Sequence, residues 1–281
     1  VVFKAMREQT SQKLGNFYTY FIQSNTRILL PLALIVASLL LFEGVPMNIE
    51  GKASIHTLEG NAVQVARGPA AAMVAIKQLG TNGGGFFGAN SSHPLENPTY
   101  WSNAIESISI ILIPIAMVFA LGFYLNRKKL ALVIFGVMTV GFLALIAPAI
   151  YFEWQGNPAV DHLGVAQTLG NMEGKETRFG TTLSTYWAII TTVTSNGSVN
   201  AMHDSLMPLT GMSALLGMMI NALYGGVGVG FLNFYVFIII AVFIAGLMVG
   251  RTPELFGKKI EAREMKIATL IALLHPFLIL L

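Results

Sequence analysis

Cysteine is absent from all 281 residues, so no disulfide, thiolate metal site or dithiol redox motif can form. Charge is nearly as scarce: Asp, Glu, Lys and Arg make up 11% of the chain, against about 25% in an average soluble domain. No Ser-His-Asp arrangement, helically spaced carboxylate pair or phosphorylatable Asp motif is evident, which leaves covalent chemistry without candidates. The balance of 17 basic and 14 acidic residues is only +3. The basic residues sit in short loops between apolar runs, which is not a nucleic-acid signature.

Apolar residues supply 54% of the chain and gather into long runs. A hydrocarbon core takes roughly 20 residues of helix to cross, so the composition predicts an all-α polytopic membrane protein. The chain starts Val-Val-Phe, lacks an amino-terminal signal peptide and stops at Leu281 in an apolar run too short to span. These ends are expected of an internal fragment of a longer membrane protein.

Five stretches organise the sequence. Residues 1–26 form a cytoplasmic amphipathic lead-in, with Lys4, Arg7 and Lys13 among Phe3, Leu14, Phe17 and Phe21. Residues 27–129 hold a span over Ile28–Phe42, which Phe17–Ile22 extends backwards, then polar sequence to Arg67. A short helix over Pro69–Leu79, an irregular loop and a span over Ala104–Leu125 follow. Residues 130–250 repeat that order: a span to Phe152, polar sequence, a short helix over Thr181–Thr192, and an apolar stretch over 206–249. Residues 251–266 are a cytoplasmic basic loop, and 267–281 begin a truncated span. The repeat recurs after about 110 residues, too long for a solenoid, and fits tandem parallel units of span, re-entrant half-helix, filter strand and span.

A polar, glycine-bearing motif follows each half-helix. The first is Thr81-Asn82-Gly83 and the second Ser195-Asn196-Gly197; each is trailed by Asn-x-x-His, at Asn90–His93 and Asn200–His203. Eleven helical residues rise roughly 17 Å, about half a bilayer. Glycine lets successive carbonyls aim at one axis, and the carboxyl end of a half-helix turns its negative pole to a cation. Asn-Gly also favours plain turns, but two copies after matched half-helices point to an ion pore built from carbonyls.

With both half-helices entering from one side, twelve of the 17 Lys and Arg fall on the other, which is therefore cytoplasmic. Residues 206–249 then need one net crossing. A straight helix of that length would rise roughly 66 Å, so a helix broken at Gly225-Gly226-Val227-Gly228-Val229-Gly230 is expected. The glycine run lacks the Gly-Lys-Ser/Thr ending of a phosphate loop; a flexible hinge and a gate are both compatible with it. His93 and His203 suit hydrogen bonding in an outer vestibule. Glu96 and Asp204 either give the mouth a negative field or are solvated loop acids. Arg251 is explained by topology alone, or faces the pore or a partner.

Several long strings resemble the potassium-binding A subunits of Kdp potassium-transporting ATPases, the KdpA family. They are Gly80-Thr-Asn-Gly-Gly-Gly-Phe-Phe87, Asn90–Thr99, Asn171–Gly180, Ala201–Ser205, Gly225–Gly228 and Ala245–Glu254 through Gly257–Ile260. The resemblance runs nearly end to end and implies the second and third of four tandem repeats around one filter. It implies K+ as the transported ligand, no covalently bound cofactor, and filter carbonyls from Thr81, Asn82, Gly83, Ser195, Asn196 and Gly197. It further implies a gate at Gly225, Gly226, Gly228 and Gly230, with Arg251 near the inner ion path. Asn221 stands where an acid is common in that family. The implied setting is the bacterial or archaeal plasma membrane. There the subunit, no enzyme itself, passes K+ to the P-type ATPase subunit KdpB beside the small subunits KdpC and KdpF. An ion-coupled or passive cation transporter or channel of the same superfamily is the alternative.

Overall fold

The computed structural model describes residues 1–8, 10 and 13–281. Helix α1 covers Val2–Arg7, α2 Phe17–Ser24 and α3 Leu30–Phe42. Strands β1 (Lys52–His56) and β2 (Ala62–Ala66) form an antiparallel hairpin with Lys52 opposite Ala66. Helices α4 (Ala70–Gly80), α5 (Tyr100–Tyr124), α6 (Lys128–Trp154), α7 (Pro158–Asp161), α8 (Gly180–Val193), α9 (Pro208–Ile220) and α10 (Val229–Val249) follow. A small hairpin, β3 (Glu254–Leu255) with β4 (Lys258–Lys259), leads into α11 (Ala262–Leu280). Among the described residues, four stretches are long and apolar enough to cross a membrane: Phe17–Phe42, Tyr100–Tyr124, Lys128–Asp161 and Val229–Val249.

The span Phe17–Phe42 is continuous through a π turn at Asn25–Leu29. Pro31 has no N–H to offer the Arg27 carbonyl. Just before it, Asn25 Nδ2 and Thr26 Oγ1 donate to the carbonyls of Phe21 and Ile22, each at 2.8 Å. Side chains that occupy backbone acceptors next to a proline favour a widened turn. The helix expected over 1–26 is interrupted. Asn16 caps α2, its Oδ1 accepting from Tyr18 N at 2.9 Å, and Gly15 before it has φ +112°. Residues 9, 11 and 12 of that expected helix lie outside the described residues.

The molecule is organised inside out. The half-length helices α4 and α8 occupy its interior, and the spans surround them. Along α4, Ala70, Ala71, Val74, Ala75 and Leu79 are buried against Val36 and Leu40 of α3 and Ile113 of α5. Four small or branched residues on one face let α3 and α5 approach closely. Trp187, Ile189, Ile190 and Val193 of α8 are fully buried. Ile189 and Val193 pack on Ile146 and Ala149 of α6 and Ala214 of α9. Trp187 and Ile190 meet Ile110 of α5, joining the two repeats. On α5 the polar residues Ser102, Asn103, Glu106, Ser107 and Ser109 are buried while Ile108, Leu112 and Phe123 are exposed. A chain solvated by hydrocarbon turns its polar groups inward.

The apolar stretch 206–249 is two helices. Its interruption runs from Asn221 to Gly228, slightly earlier than the glycine run predicts, and Gly230 already lies in the first turn of α10. Two other regions differ from expectation. The polar segment after Phe42 contains the β1–β2 hairpin. The predicted basic loop 251–266 holds the β3–β4 hairpin and the start of α11, so Arg263 and Lys266 are helical. There Glu261 and Glu264 form a reciprocal cap, and the helix begins ahead of the apolar run.

Candidate functional site

Both half-helices end in the same way. The N–H groups of Thr81 and Ser195 reach back three residues, to Gln78 O at 3.3 Å and Thr192 O at 3.2 Å. Those of Asn82 and Asn196 reach back five, to Lys77 O at 3.3 Å and Thr191 O at 2.9 Å. This 5→2 and 6→1 pairing is a Schellman cap. Its left-handed position is filled by Thr81 (φ +48°) and Ser195 (φ +51°) rather than glycine. A non-glycine residue there costs of order 1–2 kcal/mol, and such strain gathers at functional sites.

The caps deliver the two motifs to one place. A Cβ on Gly83 would overlap the carbonyl oxygen of Asn196 and come within 2.8 Å of its carbonyl carbon. Among the described residues, no hydrogen bond reaches the carbonyl oxygens of Thr81, Asn82, Gly83, Ser195, Asn196 or Gly197. The next oxygen, Ser198 O, is taken by Trp187 Nε1 at 2.9 Å. Six uncommitted carbonyls at two adjoining helix ends have the chemistry that a dehydrated cation requires of its ligands.

The interrupted segment 221–228 closes on the same place. Val227 N donates to Thr81 Oγ1 at 2.9 Å. A Cβ on Gly226 would overlap the carbonyl of Thr194 and lie 3.0 Å from Thr81 Oγ1, and one on Gly225 would overlap Gly230. Asn221 (φ +39°) and Tyr224 (φ +67°) are left-handed without being glycine. The structure therefore brings Gly226 against Thr194 and Thr81 and packs Gly225 on Gly230 within the segment itself, whereas a Cβ on Gly228 would meet open space. Arg251 is not brought in. It is exposed beyond the far end of the 21-residue α10, roughly 31 Å of helix away.

Behind the first motif is a buried polar network. Lys77 donates to Asn90 Oδ1 and Ser91 Oγ, each at 2.8 Å, and pairs with Glu96, whose other oxygen accepts from the N–H groups of Phe86 and Phe87 at 3.1 Å. Glu96 is thus a fully buried structural carboxylate and gives the mouth no open field; Asp204 is exposed. Arg178 reaches across to the carbonyls of Ser92 at 2.7 Å and Asn97 at 3.2 Å. Behind the second motif, Glu153 and Lys175 form a fully buried pair at 2.9 Å. Glu153 also accepts from Asn171 Nδ2 at 2.9 Å and Met207 N at 2.6 Å.

His93 stacks on Phe87 with ring centroids 4.1 Å apart, and its Nδ1 accepts from Leu95 N at 3.1 Å. Burial lowers its pKa below the ordinary 6.5, with Glu96 opposing and Arg178 assisting. Burial likewise lowers that of His203. Among the described residues no group of three His, Asp or Glu could hold a metal.

Lys77, Gln78, Asn103, Glu106, Glu153 and Lys175 are absent from the sequence-derived site. Glu106 carried a usable signal, because an acid inside an apolar span faces the bundle interior.

Short interior helices that end in adjacent glycine-bearing turns, enclosed by apolar spans, define an all-α, multi-pass membrane protein. Residues 1–281 match the KdpA family, the potassium-transporting ATPase A subunit, and the chain belongs to it. It is 65% identical over 280 residues to the potassium-transporting ATPase potassium-binding subunit of Flavobacterium johnsoniae, covering 100% of this chain and 49% of that one. It is 61% identical over 279 residues to the Bacteroides thetaiotaomicron protein of the same name, with 99% and 49% covered. With that of Alicyclobacillus acidocaldarius it shares 52% over 278 residues, again 99% and 49%. The chain spans about half the length of these relatives.

Proposed function

We propose that this chain supplies two of the strands of a potassium filter in the K+-binding, channel-like subunit of an ATP-driven uptake pump. The observation that carries the proposal is the meeting of Thr81–Gly83 and Ser195–Gly197, with six uncommitted carbonyls, in a chain of the potassium-transporting ATPase A subunit family. Carbonyls at these helix ends replace the water of a dehydrated K+. The segment 221–228 beneath them is the gate, and Gly225, Gly226, Gly228 and Gly230 give it the backbone freedom to move. Arg251 acts at the inner end of the ion path, one helix away from the filter.

ATP hydrolysis belongs to a partner, the P-type subunit KdpB, with KdpC and KdpF as accessory subunits in a bacterial plasma membrane. The filter opens outward, and Asn126–Lys129 with 251–266 lie in the cytoplasm. The decisive measurement is K+-stimulated ATPase activity of the full-length, assembled complex with filter variants. A Gly83→Ala complex whose K+ dependence equals wild type would exclude the filter assignment.

A further inference from the structure

The first repeat holds the strand of the second through hydrogen bonds whose direction is fixed from both ends. The Lys77 ammonium can only donate, and it donates to Ser91 Oγ at 2.8 Å. Ser91 therefore sends its single hydroxyl proton onward, to Glu106 Oε2 at 2.8 Å. Gln78 Nε2 donates to the same Oε2 at 2.7 Å and to Ser198 Oγ at 2.9 Å. The Gln78 amide cannot then be turned round. Its Oε1 faces the second motif and accepts from Asn196 Nδ2 at 3.1 Å. That leaves Asn196 Oδ1 to accept from Ser198 N at 2.9 Å, which bends the backbone over 196–198.

Gln78, Ser91, Glu106 and Ser198 are fully buried and Asn196 nearly so. Because Glu106 Oε2 takes both donors, a proton on this carboxyl could sit only on Oε1, which is buried and, among the described residues, has no partner. The order of donors and acceptors is the same in either charge state.

We infer that Glu106 and Gln78 are positioning residues for ion discrimination: through the Asn196 amide they set the bend that aims the carbonyls of the second strand. This rests on the filter reading above. Neither residue offers an atom to the ion, and both lie in the repeat opposite the strand they orient.

The test uses the full-length protein in its assembled ATPase complex, with K+ and Rb+ as probes. Gln78→Leu removes the link. Asn196→Asp sets an acceptor against Gln78 Oε1 with no freedom to rotate. Each should raise the half-saturating K+ concentration about tenfold and narrow the preference for K+ over Rb+, and Gln78→Leu should hold the maximal rate within about twofold. Adding Glu106→Gln to Asn196→Asp frees the Gln78 amide to reverse, donating to the introduced carboxylate and accepting from the introduced amide. That double variant should return to within about threefold of wild type. An unchanged K+ dependence in Gln78→Leu overturns the inference, as does a double variant no better than Asn196→Asp alone. Should Gln78→Leu fail to assemble, the single and double variants at 196 and 106 carry the test. Gly83→Ala separates the two levels. If it shifts K+ dependence while the amide variants do not, the filter stands and the positioning chain falls; if none shifts it, the filter itself falls.

Discussion

The α-carbon of Gly83 faces the carbonyl group of Asn196 so closely that no side chain can be placed between them. The two repeats meet here backbone to backbone. Glycine is required for space at position 83, as well as for its φ of +60°. Gly197 is different. Its φ is +82°, but a Cβ there would find only Gly83 Cα, at 3.9 Å.

The two glycines should therefore respond unequally to alanine. Gly83→Ala forces the strands apart and should raise the half-saturating K+ concentration of the assembled pump by at least about tenfold. Gly197→Ala adds only backbone strain of roughly 1–3 kcal/mol. Its main effect should be on thermal stability in detergent, with a smaller shift in K+ dependence. Equal effects in an ATPase titration would contradict the geometry.

Thr81→Val should loosen the glycine loop, because Val227 N loses its acceptor. An unsatisfied amide costs about 1–3 kcal/mol. Hydrogen exchange over 222–228 should quicken in the full-length protein, while Thr81→Ser, which keeps the hydroxyl, should exchange like wild type.

Breaking the Glu153–Lys175 pair should be costly. Lys175→Met leaves a fully buried carboxylate without its cation, a loss of about 3–5 kcal/mol. Glu153→Gln in the same protein should recover part of it. Thermal unfolding followed by size-exclusion of the solubilised protein reads both.

His93 should confer acid sensitivity. Its folded pKa is lowered, chiefly by burial, so the folded state binds fewer protons than the unfolded state near pH 6. The associated stability is complete above the ordinary value of 6.5 and is lost as pH falls below it toward the lower folded value. His93→Asn keeps an acceptor for Leu95 N and should flatten the melting temperature between about pH 7 and pH 5 relative to wild type.

Because the chain has no cysteine, topology can be read directly. Leu58 lies wholly exposed at the turn of the first hairpin. Leu58→Cys should react with an impermeant thiol reagent in intact cells, and Lys128→Cys only after permeabilisation. The reverse pattern would invert the orientation.

The half-helices and the break at 221–228 are legible in the sequence because glycine, proline and asparagine punctuate apolar runs, and punctuation is local chemistry. The partners of Gln78 are not legible. Asn196 and Ser198 lie 118 and 120 positions away, and nothing in a single helix announces which distant strand its amide will face. Glu96 misleads for the same reason. Beside His93 it reads either as a vestibule charge or as a solvated loop acid, but folding buries it against Lys77. The β1–β2 hairpin is masked by its polar composition, although Glu59-Gly60-Asn61 marks a turn.

On the filter reading proposed above, the indole of Trp187 shortens the row of oxygens open to an ion. By holding Ser198 O it removes that oxygen from the row. Beyond Gly197 the second strand thus has no further free oxygen to add at that end of the row. Rapid conduction relies on neighbouring ions pushing one another forward through several oxygen cages. A row closed off in this way favours holding an ion over passing a column of them, which fits the pump reading proposed above better than the diffusive flow of an open channel.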